Sequence, residues 1–179
     1  MSDQPHYPPA TAPERSLPPP GAAERDMLAA FLDFQRATLA VKCAGLPAEL
    51  LRVQAVPPSG LSLLGLVRHM AEVERSWFRI RFAEADQDHL YQTPDDPDAD
   101  FNGALADPLV VEQAMQAWHA EMAFADEFIA DHDFDFVGKA SEGEPVSLRE
   151  LIVHMIQEYA RHNGHADLLR ERIDGRVGQ

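Results

Sequence analysis

Ser147–Ile173 reads SLRELIVHMIQEYARHNGHADLLRERI, and its apolar positions Leu148, Ile152, Met155, Tyr159, Ala166, Leu169 and Ile173 recur at steps of three, four and seven. That spacing predicts one long helix with a single core-facing stripe. Ser147 and Glu150 stand three apart just before the stripe begins, the pattern in which serine and glutamate each accept one of the free amides at a helix start, so they set the phase of the helix. In that phase His162 falls inside the stripe, while Glu158 and His165 lie four before it and three after it, along the same face. A histidine aimed into a helical core needs a partner, because an unpaired buried polar group costs roughly 1–3 kcal/mol. Another core side chain can be that partner, and so can a metal ion.

A second stripe lies upstream, where Leu63, Leu66, Val67, Met70, Val73, Trp77 and Ile80 share one face of a helix predicted over about 61–85 and His69 sits among them. One inward histidine on each of two helices can meet across a helical core. Helix one is expected over about 24–44, with Leu28, Phe31, Leu32, Gln35, Leu39 and Val41 on its inner side, and helix three over about 109–131. Between helices two and three, residues 86–107 are rich in Asp and Pro, and a connection that long is usually functional or mobile. Tyr91 and Phe101 are its apolar anchors, and the connection is expected to lie over the histidine site as a lid. Residues 133–138 alternate polar and apolar, the sign of a short extended segment.

Three collinear runs, LSLLGLVRHMAEVERSWFR at 61–79, LYQTPDDPDADF at 90–101 and VSLRELIVHMIQEYARHNGHADLLRERIDG at 146–175, resemble the DinB superfamily of metalloproteins and, within it, the DUF664 branch. The resemblance spans about 24–175. It implies an all-α fold, an up-and-down four-helix bundle with the long acidic loop between its second and third helices, and a metal site with one ligand from the second helix and two, four residues apart, from the last. On that pattern His69, Glu158 and His162 match the ligand positions. Glu158 stands where many members have histidine and is similar to the mycothiol-dependent maleylpyruvate isomerase branch, whereas His165 stands where others have glutamine and is an alternative or additional ligand. Members of known activity use low-molecular-weight thiols, mycothiol or bacillithiol, for transfer or isomerisation. The function implied is that of a divalent-metal-dependent transferase, isomerase or hydrolase acting on a small molecule, with such a thiol as its candidate cofactor, and the alternative is a metal-binding or small-molecule-binding stress-response protein without turnover. The resemblance also suggests a homodimer, for which an outer strip of helix two bearing Phe78 and Phe82 is the candidate surface.

The residue chemistry is compatible with this. Imidazole nitrogen and carboxylate oxygen suit zinc or nickel, and three protein ligands leave a coordination position open to water or a thiol. No catalytic residue beyond the ligands is assigned. Glu72 is read as a surface partner of Arg68 or Arg75 rather than as a group that orients a ligand, His154, one turn before Glu158, as a residue behind the ligands or on the surface rather than a ligand, and Gly164 as a place where another backbone comes close. His119 and His132 receive no role, and Trp77 and Trp118 are core candidates.

Composition bounds the partners. Thirty acids against 15 bases give a net charge of −15, and the 57 residues from 82 to 138 contain no Lys or Arg. Nucleic-acid affinity draws largely on Lys and Arg neutralising phosphates, so DNA and RNA are not expected ligands. The single cysteine, Cys43, sits among Ala40, Val41 and Ala44 and is read as a small buried hydrophobe. No stretch approaches the about 18 apolar residues of a membrane span, and the start lacks an export signal, so a cytoplasmic location is expected. Residues 1–20 hold seven of the 14 prolines. They mark 1–22 as a flexible tail, and 23–179 are expected to form one domain.

Overall fold

A computed structural model describes residues 14–139 and 143–178. The first 13 residues of the proline-rich tail lie outside the described residues. The described chain is mainly helical. Helix α1 spans Glu24–Cys43, with Glu24 and Asp26 in its first turn, where the positive end of the helix dipole favours carboxylates. A short helix α2, Ala48–Leu51, precedes Ser62, whose hydroxyl accepts the Gly65 amide and caps helix α3, Leu63–Glu74. From Arg75 to Phe82 the same helix continues with wider π winding. The connection to the next long helix contains one short helical turn, α4, Ala99–Asn102. Asp107 caps helix α5, Pro108–Asp131, and Pro108 occupies a first-turn position where its missing N–H costs nothing. Strands β1, Val137–Lys139, and β2, Pro145–Ser147, pair antiparallel with Gly138 opposite Val146. Helix α6, Leu148–Asp174, then starts on the expected reciprocal Ser147–Glu150 cap and ends at Gly175, whose φ of 79° is the left-handed value that favours glycine.

The long helices pack α1 against α6 and α3 against α5, with α3 also meeting α6 and α1. Leu63, Leu66, Met70, Trp118, Ile152, Met155 and Tyr159 fill the space between them and are at most 1% exposed. Burying one such side chain contributes about 1.5–3 kcal/mol, against about 0–1 kcal/mol for an exposed ion pair, so these apolar layers rather than the surface charges hold the helices together. Cys43 is buried as expected, and burial pushes its thiol up to about 12.

One polar chain crosses the core. Arg36 of α1 donates through Nε and Nη2 to both oxygens of Glu74 at 2.8 and 3.0 Å, and through Nη1 to Asp126 at 2.6 Å. The Tyr159 hydroxyl donates to Glu74 at 2.9 Å and accepts the Trp118 indole N–H at 2.8 Å. Burial works against the Arg36 charge, but Glu74, Tyr159 and Asp126 together outweigh it and hold the guanidinium above its usual range. Burial, reinforced by Glu74, likewise raises the Tyr159 hydroxyl well above the ordinary phenol value.

Three expectations are corrected. Phe78 and Phe82 do not form an outer strip: they are buried against Phe128, and Phe82 also meets Phe136. Phe128 of α5 covers Phe78, and the β1–β2 hairpin covers Phe82, because a Cβ at Gly138 would stand 2.6 Å from the Phe82 ring and only glycine lets the hairpin close over it. Gly164 has no atom within 4 Å of where its Cβ would be and faces outward, so no backbone approaches it. Phe31 is 36% exposed, because α1 turns Leu32 and Leu39 inward instead.

Candidate metal centre

His69 lies in the second turn of α3, and Glu158 and His162 share one face of α6 where the two helices meet. One ligand-capable atom from each of the three lies within 4.8 Å of the others. The His69 and His162 rings stand 4.7 Å apart between centroids, and His162 Nε2 is 3.6 Å from a Glu158 oxygen. His162 is 9% exposed, in line with its place in the apolar stripe. Burial, followed by the neighbouring His69 and His165, pushes its pKa down to about 4. It is therefore neutral at ordinary pH, the form of imidazole that ligates metals.

His165 stays outside this cluster. Its Nδ1 lies 3.5 Å from Nδ1 of His162, on the side of that ring turned away from Glu158, so α6 places it beside the group rather than in it. His154 packs on the Trp77 ring, His119 on Trp118 and His132 on Phe128.

The connection between α3 and α5 reaches the site. Asp100, on α4, is 1% exposed and places Oδ2 2.7 Å from Nδ1 of His69. Phe101 stacks on the His69 ring with centroids 4.9 Å apart, and Gly65 makes room for it, since a Cβ there would meet the Phe101 ring at 3.0 Å. Arg68 donates to the backbone carbonyls of Asp100 and Ala99 at 2.7 and 2.9 Å and lies over the Tyr91 ring at 3.8 Å. Tyr91 and Phe101 thus anchor the connection, as their apolar character suggests.

The expectation for Glu72 is also corrected. It is not a surface partner of arginine but 2% exposed, accepting the Tyr91 and Gln92 amides at 2.7 and 3.3 Å and facing Nδ1 of His89 at 2.7 Å. A buried carboxylate needs hydrogen-bond donors, and the returning connection supplies them. Asp100 carries no signal in the sequence that sets it apart. It is one of several acids in a stretch without periodicity, and its partner His69 lies 31 positions earlier.

Residues 27–175 match the family model of mycothiol-S-transferase. The chain belongs to the mycothiol-S-transferase family. That places it in the DinB-like superfamily, in keeping with the resemblance drawn from the three sequence runs. The matched range runs from the first turn of α1 to the Gly175 cap of α6 and takes in His69, Asp100, Glu158 and His162. Comparison with curated proteins and with solved structures gave no significant match. Among the described residues, no helix is long and apolar enough to cross a membrane.

Proposed function

We propose that this chain is a divalent-metal-dependent transferase that joins a low-molecular-weight thiol, mycothiol by the family's name, to a small electrophilic substrate, with His69, Glu158 and His162 as the metal ligands. The observation that carries the reading is the convergence of two imidazoles and one carboxylate from two helices within 4.8 Å. The donor set fits zinc or nickel, and among the described residues no fourth such side chain joins the group, which leaves a coordination position for a substrate. When bound, such an ion supplies Lewis acidity and lowers the pKa of a thiol that reaches it.

The chain's own residues have separate tasks in this reading. Burial keeps His162 neutral, as a ligand must be. Phe101 covers one face of His69 and excludes water there, while Arg68 and Glu72 hold the covering segment in place. The net charge of −15 and the absence of Lys and Arg over residues 82–138 disfavour phosphate backbones, so nucleic acid has no part in this reading. The four long helices are taken as the superfamily's up-and-down bundle, formed by one domain from about residue 23 onward, and the site of action as the cytoplasm. With Phe78 and Phe82 buried, a homodimer loses its candidate surface and is not required.

The test has two parts. Metal analysis of purified His69→Ala should give well under one ion per chain while the circular-dichroism spectrum stays helical, and His165→Gln should retain the metal. Full retention in His69→Ala would remove the ligand assignment. Loss of mycothiol to a small electrophile should then follow loading with zinc, nickel or manganese; a protein that binds metal yet consumes no thiol with any of them would be the non-catalytic alternative.

A further inference from the structure

A carboxylate that is 1% exposed is unfavourable unless its oxygens are matched by donors. Asp100 has two such matches: Oδ1 accepts the Phe101 amide at 2.9 Å, and Oδ2 meets Nδ1 of His69 at 2.7 Å. Arg68 is adjacent, yet its guanidinium is directed to the backbone carbonyls of Asp100 and Ala99 rather than to the carboxylate. The imidazole is therefore the side-chain partner for which this acid is buried. Because a carboxylate only accepts, the bond requires the His69 proton to sit on Nδ1, leaving the Nε2 lone pair free. The contact length is that of a charge-assisted hydrogen bond, strong enough to select one tautomer over the other.

The ring is constrained on further sides. Phe101 stacks on its face, and His162 stands 4.7 Å away at a 60° tilt. The segment that delivers Asp100 is itself held by α3, through Arg68 at one point and Glu72 at another. Arg68, His69 and Glu72 lie within five consecutive positions of that helix, so the helix that presents the histidine also holds the loop that orients it.

We infer that Asp100 is a positioning residue, which the α3–α5 connection brings back to His69 so that the imidazole is locked as its Nδ1–H tautomer and Nε2 is presented to the site. The consequence for metal affinity rests on the proposed ligand role of His69; the tautomer does not. In the metal-free, full-length, ¹⁵N-histidine-labelled protein, held well above the ordinary imidazole pKa of about 6.5, long-range ¹H–¹⁵N correlation reads each ring's tautomer. The His69 signals, identified by their loss in His69→Gln, should show a protonated Nδ1 and an unprotonated Nε2. In Asp100→Asn, whose amide can donate to a bare Nδ1, His69 should shift toward Nε2–H while His162 and His165 keep their signals. Zinc affinity, read by competition with a chromophoric chelator, should fall about 10- to 100-fold in the same variant. Nε2–H in the wild-type protein, or an unaltered Nδ1–H in Asp100→Asn, overturns the inference. A wild-type protein that binds no zinc would overturn the metal reading instead, and the tautomer result would still decide the role of Asp100.

Discussion

At the scale of single residues, the histidines divide by what surrounds them. His162 sits in the apolar stripe of α6 with its pKa held near 4, below the ordinary value of 6.5. Above pH 6.5 both folded and unfolded states carry it neutral and it adds nothing to the pH dependence. Between 6.5 and about 4 the unfolded chain takes up a proton that the folded chain refuses, so stability falls as pH falls through that window. Each tenfold difference in proton affinity is worth about 1.4 kcal/mol, and with some solvent screening at the rim the loss by pH 4 is on the order of 2 kcal/mol. Urea unfolding of the metal-free protein at several pH values should show this slope, and His162→Gln should flatten it. An identical slope in the variant would assign the effect to other groups. The inward aim of His162 is legible in the sequence because helical periodicity is local, and the apolar neighbours on either side fix the phase. Burial of Glu72 and Asp100 is not legible there, since each depends on a segment that returns from a distance.

At the scale of elements, the α3–α5 connection is where sequence and structure differ most. Its aromatics Tyr91 and Phe101 indicate where it is anchored, and its length indicates that it matters. That it carries a buried acid to His69 has no local signature, because the chain between Ala83 and Asp107 lacks any repeating pattern and only the packed molecule brings Asp100 to α3. Replacing 86–107 by a brief Gly/Ser linker should therefore do two things. Chelator removal of bound metal should accelerate, as expected of a lid, and affinity should drop by roughly tenfold or more because the partner of His69 leaves with the loop. Stopped-flow chelation and equilibrium competition on the same pair of proteins measure both. An unchanged removal rate would show that the connection does not guard the site. The π-wound end of α3 is equally hidden: Phe78 and Phe82 fit an ordinary helical outer strip by spacing alone, and only Phe128 of α5 and the hairpin bearing Gly138 show which side they face.

At the scale of the whole molecule, charge decides what the surface will tolerate. With a net charge of −15 and no Lys or Arg over residues 82–138, binding to a random DNA duplex at about 150 mM salt should be weaker than the 10⁻⁴–10⁻⁶ M typical of non-specific binders. Fluorescence anisotropy with a labelled duplex checks it, and sub-micromolar binding would contradict it. Inside, the Arg36–Glu74–Tyr159–Trp118 chain touches α1, α3, α6 and α5 in turn. Its members flank the candidate ligands: Glu74 is five residues after His69 on α3, and Tyr159 directly follows Glu158 on α6. Apolar layers resist separation of helices but tolerate sliding, because one leucine can replace another against the same neighbour. Directional hydrogen bonds do not tolerate it. A slip of α6 along α3 by one turn, about 5.4 Å, would break the Tyr159–Glu74 bond and also exceed the 4.8 Å that spans the three ligand atoms. The polar chain thus acts as a vernier, converting hydrogen-bond geometry in the middle of the molecule into axial alignment of two histidines and a glutamate beside it.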